Sequence, residues 1–357
     1  IGDDNIVTML FIFLIAGAFS GIASQAGGAS STANLLLNII PGRFAVPGLF
    51  VIACLISMAM GTSVGTISVL APIACAVSQN GGLSLPFCVG IVVGGAMFGD
   101  NLSFISDTTI AATKTQGVEM KDKFRTNIRV ALPAAIITLV ILIVYAFMSR
   151  GASIGTFEFN IWQALPYFIV LAMSILGINV FLVLMAGILL FVLVGIFTGS
   201  LTYATALASM GSGINGMFET MIVTILVASI AALMKENGGF EAILAFIRKK
   251  ADSKRGGMYG IAFLTAFMDI ATANNTVAIV ISAPIARDIT KEYGVDPRQT
   301  ASLLDTCSCI AQGIIPYGAQ LLVAANIAKL TSVSLIPFLI YPFVLLVFVV
   351  ASIQKER

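Results

Sequence analysis

Six apolar runs of near-crossing length constrain this chain more than any other feature: residues 6–23, 130–148, 162–176, 180–197, 221–234 and 335–350. Counted with its flanks, each approaches the ~20 residues a helix needs to traverse the hydrocarbon core. Only 10% of the 357 residues are charged, against about 25% in a soluble domain. Inside lipid every backbone N–H and C=O must be paired within its own structure. The expected fold is therefore an all-α polytopic membrane protein. A formal net charge of +2 without a basic patch excludes nucleic acid as a partner. Cys54, Cys75, Cys88, Cys307 and Cys309 lie in apolar surroundings and read as small buried hydrophobes. The chain has no histidine, no metal-ligand cluster and no nucleophile–base pair, so neither a cofactor nor an enzyme is expected. A proton handled near neutral pH must then ride on a carboxylate or a lysine.

The stretch 99–109 breaks this apolar pattern. Asp100, Asn101, Ser103, Ser106, Asp107, Thr108 and Thr109 fall midway along what otherwise reads as one crossing. A carboxylate at that depth costs roughly 2.5–3.5 kcal/mol on insertion scales and usually faces a cavity that handles an ion or proton. Carboxylates, the Asn101 amide and carbonyls freed by the break are the oxygen ligands a small hard cation takes. Asp100 reads as functional, whereas Asp107 fits either a helix N-cap or an ion ligand. Asp305, and less directly Asp269, are the other intramembrane acids. Asp305 is the favoured partner for ion or proton. Glu219 reads as interfacial, and Lys114 and Lys329 as snorkelling.

Two segments align without gaps at an offset of 212 residues, placing Ala71-Pro72-Ile73-Ala74 on Ala283-Pro284-Ile285-Ala286. Each copy has an opening helix and then a surface stretch (29–41 and 240–252). An interrupted run (44–79 and 257–291) reads as a re-entrant hairpin. A broken helix and a closing helix (129–149 and 333–352) follow. The hairpin tips carry Thr62 and Ser63 in one copy and Asn274, Asn275 and Thr276 in the other. These side chains either cap broken helices or aim helix dipoles at a solute. Basic residues cluster at 114–129, at 248–255, at 287–298 and at the C-terminus. Placing these on the cytoplasmic side makes the two copies enter from opposite faces. The expected organisation is two inverted repeats, 1–150 and 151–357. The second holds a helix pair at 158–198 and a repeat core at 216–352. The first lacks that pair, which predicts roughly 70–90 further residues upstream on the helix-length rule.

The run from Phe98 to Thr109, followed by a basic loop (114–129) through Asn127 and Arg129, resembles the signature of the NhaC-type sodium/proton antiporters. Leu303-Leu304-Asp305-Thr306 with Ile315-Pro316-Tyr317 resembles that family's second-half motif. The Asn274-Asn275-Thr276 tip is similar to tips of the wider ion-transporter superfamily. The resemblance implies a Na⁺/H⁺ antiporter of a bacterial or archaeal cytoplasmic membrane, working by alternating access. Asp100, Ser106, Asp107, Thr108 and Asp305 are the positions onto which an ion or proton role carries, with Asn101 beside them and Na⁺ expected at Asp100 and Asp107. The alternative, favoured by the neutral tips, is a Na⁺-coupled or exchange transporter of a small organic acid or amino acid. Pairing of two copies through 129–198 is a further expectation of this layout.

Overall fold

A computed structural model describes residues 4–39, 44–60, 62–103, 106–148, 158–176, 178–238, 242 and 253–356. All the regular structure among them is helical. The first half holds α1 (Asp4–Gln25), α2 (Gly28–Ile39), α3 (Ala45–Met60), α4 (Ser63–Gly81), α5 (Leu85–Leu102), α6 (Asp107–Gln116) and α7 (Met120–Met148). Next come α8 (Ile161–Ile175), α9 (Val180–Phe197), α10 (Tyr203–Gly216) and α11 (Phe218–Glu236). The chain ends with α12 (Lys254–Thr272), α13 (Asn275–Tyr293), α14 (Pro297–Gln312), α15 (Ala319–Ala328), α16 (Ser332–Leu335), a 3₁₀ turn (Ile336–Phe338) and α17 (Ile340–Lys355).

By length and composition α4, α5 and α7 suffice to cross a membrane, and α15 with Ser332–Phe338 passes as a pair bent by 96°. α4 and α5 are enclosed by protein. α7 and α9 instead turn Ile136, Val144, Leu182, Leu189 and Leu193 outward. Such apolar faces suit hydrocarbon, where they displace no water.

The offset of 212 recurs in the helix boundaries. α4 and α13 start at Ser63 and Asn275, end at Gly81 and Tyr293, and enclose Pro72 and Pro284. Left-handed glycines, Gly82 and Gly294, close both. α5 and α14 then start at Leu85 and Pro297. α3 packs against α4 and α12 against α13, and each pair lies against α5 or α14 respectively. The halves also cross over. α6 packs on α13, where Gln116 Nε2 donates to the Ala283 carbonyl at 3.2 Å and the Arg287 guanidinium donates to the Thr115 carbonyl. α15 packs on α4 in the same way.

α5 reaches its place through close backbone contact with α3. A Cβ added at Gly95 would lie 2.6 Å from Ala53 Cβ, and one at Gly99 would lie 2.1 Å from Ser57 Cβ. Ser57 Oγ donates to the Ala96 carbonyl at 2.6 Å across this seam. Small residues four apart on both helices permit this approach. Gly99→Ala is expected to lower stability by about 1–3 kcal/mol through overpacking, read as a drop in thermal unfolding temperature in detergent. Unchanged melting would show that the seam tolerates a methyl.

The C-terminus is tied to two elements. Lys254 Nζ lies 2.6 Å from Glu356 Oε2, and Gln299 donates to the same carboxylate. The Lys254 hydrogen bond holds Glu356 below its ordinary carboxylate range, more than partial burial raises it. A depressed folded-state value stabilises the protein above the unfolded value near pH 4.5 and is lost as pH falls through the folded one. Glu356→Gln is expected to cost under about 1 kcal/mol at neutral pH, with the difference from wild type vanishing in acid unfolding curves.

Four expectations need correction. Residues 114–129 are not a loop: they comprise the end of α6, a turn at Gly117 and the first ten residues of α7. The closing helix does not run unbroken over 333–352. Pro337 lacks an N–H to continue the helix, so α16 gives way to a 3₁₀ turn and α17 starts afresh at Ile340. α10, closed at its start by a Thr202–Thr205 capping box, occupies a stretch the apolar pattern leaves blank. Asp107 is the first residue of α6, and Ser106 takes the N-cap position. The basic stretch 248–255 lies mostly outside the described residues, as do the surface stretch 240–252 and the side chain of Glu219.

Candidate functional site

The site is built where α5 breaks. The chain leaves the helix at Leu102, runs extended through Ser103 and re-enters helix at Asp107. A break frees carbonyls of the last turn of α5 from intrahelical bonding, and two of the groups so exposed are taken up by side chains. Thr109 Oγ1 donates to the Ser103 carbonyl at 2.9 Å. The Asn101 carbonyl accepts from Lys123 Nζ at 3.0 Å and from Asn127 Nδ2 at 2.9 Å. Lys123 and Asn127 stand four apart on α7 and so share one helix face.

That face meets Asp305 of α14. Lys123 Nζ lies 2.8 Å from Asp305 Oδ2, and Asn127 Nδ2 donates to the same oxygen at 2.7 Å. Thr109 Oγ1 completes the lysine's set at 2.7 Å. The ammonium thus spends its three donors on three oxygens. Lys123 is 1% exposed and Asp305 0%. Thr108 hydrogen-bonds Asp305 and also pairs with Ser106 Oγ at 2.7 Å. Asn101 Nδ2 donates to the Met97 carbonyl at 2.9 Å and to the Tyr341 hydroxyl at 3.2 Å. Phe50 and Phe98 pack on the Tyr341 ring. Asn101 Oδ1, Asn127 Oδ1 and Asp305 Oδ1 are buried without a hydrogen-bond partner among the described residues. The cluster therefore holds more acceptors than donors among the described residues, the imbalance a cation would correct.

A second polar chain joins the tips to the other break. Gln320 Nε2 donates to Ser63 Oγ at 3.0 Å, and Gln312 Nε2 donates to Gln320 Oε1 at 2.8 Å and to the Ala273 carbonyl at 3.1 Å. The first tip, the second break and the second tip are thereby linked. Thr62 and Asn274 act as N-caps, accepting from Gly65 N at 3.3 Å and Val277 N at 3.0 Å. Asn275 Oδ1 accepts from Thr276 N at 3.0 Å. Thr62, Asn274, Asn275 and Thr276 thus make local bonds, whereas Ser63 reaches across the halves.

Of the residues singled out from sequence, Asn101, Ser106, Thr108 and Asp305 converge on one cluster. Asp100 is buried, and Cys309 lies within electrostatic reach of Asp100, Asp269, Asp305 and Lys123 together. Three acids and one lysine therefore share this interior. The side chain of Asp107 lies outside the described residues, so the Asp100–Asp107 pairing around Na⁺ stays an expectation. Among the described residues no group of three His, Cys, Asp or Glu could hold a metal. Lys123, Asn127 and Tyr341 were not anticipated. Their four-residue spacing sets Lys123 and Asn127 on one face of α7, but no local pattern says which face is buried, and none marks Tyr341.

The model of the Na⁺/H⁺ antiporter family matches residues 4–147 and 152–354. The malate-2H⁺/Na⁺-lactate antiporter of Bacillus subtilis (strain 168) is 23% identical, over 96% of this chain and 80% of that protein. The arginine/ornithine antiporter ArcD of Halobacterium salinarum is also 23% identical, over 83% of this chain and 69% of its own. The Na⁺/H⁺ antiporter NhaC of Bacillus subtilis (strain 168) is 22% identical, over 96% of this chain and 83% of its own. The match extends through both helix breaks, and this chain belongs to the Na⁺/H⁺ antiporter family.

Proposed function

We propose that this membrane protein exchanges Na⁺ for H⁺ at the pocket around Asp305, and that the Lys123 ammonium occupies the cation's place when Na⁺ is away. The observation that carries this is the three-oxygen cradle of Lys123: Asp305 Oδ2, Thr109 Oγ1 and the Asn101 carbonyl at 2.7–3.0 Å. Hard oxygen ligands suit Na⁺ as well as they suit an ammonium. Asn101 Oδ1, Asn127 Oδ1 and Asp305 Oδ1, without a hydrogen-bond partner among the described residues, supply further ligands. Na⁺ entering the cradle displaces Lys123. A buried ammonium stripped of its acceptors is too costly to keep, so the lysine gives up its proton, and return of that proton expels Na⁺. Asp100 supplies negative charge to the same cluster.

Alternating access follows from two halves of opposite orientation. The recurrence of helix boundaries at 212 residues supports the repeat. Three crossings, α7, α8 and α9, separate the copies and invert the second. α10, with Gly211, Ser212, Gly213 and Asn215 in its second half, is less apolar than α8 or α9 and is not counted among these crossings. Breaks of this kind line cavities in inverted-repeat transporters. On this reading the basic segment at the α6–α7 turn and the C-terminus face the cytoplasm. The outward apolar faces of α7 and α9 meet lipid or a second copy.

In liposomes carrying a luminal pH dye, an inward Na⁺ gradient is expected to raise luminal pH with no other solute present. K⁺ at the same concentration should do nothing. A strict requirement for lactate, malate or an amino acid would sink this reading in favour of a second one. That second reading rests on the neutral chain Ser63–Gln320–Gln312 and on the names of the malate/lactate and arginine/ornithine relatives. In it the tips hold a small organic acid or amino acid, moved with or against Na⁺.

A further inference from the structure

We propose that Asp269 is a second proton-binding site, loaded in this conformation and emptied when the hairpin α12–α13 opens. It rests on the reading of Asp305 and Lys123 above and adds a proton to each turnover. Asp269 lies in α12, five residues before the tip, and is 0% exposed. Neither of its carboxyl oxygens has a hydrogen-bond partner among the described residues. Asp305, equally buried, meets an ammonium, an amide and a hydroxyl. The contrast separates their roles. A carboxylate without a donor in a dry interior is costly enough that the group takes up a proton instead. Asp305 holds its charge and receives a cation, whereas Asp269 holds the proton itself.

The surroundings give that proton a way to matter. The Asp269 carbonyl accepts from Ala273 N at 2.7 Å, closing α12 with Ala273 at φ 49°. A left-handed conformation in a residue with a side chain brings Cβ too close to the following carbonyl oxygen and is strained. Gln312 holds the same turn through the Ala273 carbonyl, while its own Oε1 is buried without a partner among the described residues. A strained, under-bonded turn has a second arrangement within reach. The titratable groups that sense Asp269 are Cys309 of α14 and Tyr317 of the second break, whose hydroxyl donates to the Ile270 carbonyl at 2.7 Å. No hydrogen bond links Asp269 to Lys123, so the two protons are separate.

Charges balance as follows. On the proton-bearing leg Asp269 keeps its O–H bond and Lys123 its third N–H bond. On the Na⁺-bearing leg both bonds have broken, both protons have passed to water on one side, and Na⁺ sits at Asp305. Two protons cross against one Na⁺, so each turnover moves one net charge.

The test uses the full chain in liposomes with the membrane potential clamped by K⁺ and valinomycin. Wild type is expected to show Na⁺-driven proton flux that responds to potential and reverses at the value set by two protons per Na⁺. Asp269→Asn, which mimics the protonated side chain, should still exchange, one for one and without response to potential. Asp269→Glu should regain the response. Wild-type flux indifferent to potential overturns the proposal, and so does an Asp269→Asn variant as voltage-sensitive as wild type. Loss of Na⁺-induced thermal stabilisation in Asp269→Asn also overturns it, by placing Na⁺ rather than a proton there. If that variant fails to fold, the wild-type reversal potential alone decides. Asp305→Asn, run alongside, tests the underlying reading. Na⁺ self-exchange surviving in it removes Asp305 from the Na⁺ site, whatever Asp269 does.

Discussion

Asp305→Asn is expected to abolish Na⁺-driven proton movement while leaving a helical, monodisperse protein. Asparagine keeps the shape of the side chain and one acceptor but removes the charge. At an effective dielectric near 20, a unit charge pair about 3 Å apart is worth roughly 5 kcal/mol. Even half of that corresponds to a loss of about 100-fold in Na⁺ affinity. Asp305→Glu keeps the charge and moves it by one methylene, away from Asn127 Nδ2 and Thr108, so an intermediate loss is expected. Everted vesicles with a pH-sensitive dye separate the three proteins directly. Collapse of a preformed pH gradient by Na⁺ at the wild-type rate in Asp305→Asn would show that the ion passes elsewhere. Asn127→Ala gives a graded control, because it removes one of the Asp305 donors and leaves Lys123 in place, a cost of about 1.5–3 kcal/mol for a hydrogen bond to a charged group.

Much of the scaffold behind this site is legible in the sequence, for identifiable reasons. Apolar runs announce the helices, and the Ala-Pro-Ile-Ala tetrapeptide fixes the offset at which the boundaries of α4 and α13 recur. Asp305 stands out because a lone acid among Leu303, Leu304 and Cys307 demands a reason. Its partner does not stand out. Lys121, Lys123, Arg125 and Arg129 look alike in composition, and only helical register separates them. Lys121 is 65% exposed and pairs with neighbouring Glu119, whereas Lys123 is 1% exposed and pairs with an acid 182 positions away. No local pattern carries that information. The same holds for Tyr341, which meets Asn101 from 240 positions away, behind a kink that Pro337 imposes on an apparently continuous apolar run. At the tips Thr62 and Asn274 cap their helices as their residue types favour, and Ser63 is drawn across the halves by Gln320.

Lys123→Ala is expected to be the most destabilising single change at the site, and its rescue by Na⁺ is the sharper result. Removing one partner of a buried ion pair leaves an uncompensated charge and costs about 3–5 kcal/mol. The Asn101 carbonyl and Thr109 Oγ1 lose a donor as well. Removing Asp305 along with the lysine should return most of that stability, since the charge then goes with its partner. A double-mutant cycle on thermal unfolding would record the difference as coupling between two residues in contact. Lys123→Arg should not substitute, because a planar fork cannot serve three oxygens arranged about a tetrahedral ammonium. The cradle makes one further demand that an ordinary ion pair does not. With the ammonium gone, Na⁺ is the remaining partner for Asp305 and no longer competes with a tethered cation. Na⁺ should therefore stabilise Lys123→Ala more than wild type, the gain growing with the logarithm of its concentration once sites fill, while K⁺ should do little. Equal Na⁺-induced shifts in the two proteins would reduce Lys123 to a structural counter-ion and detach it from the exchange.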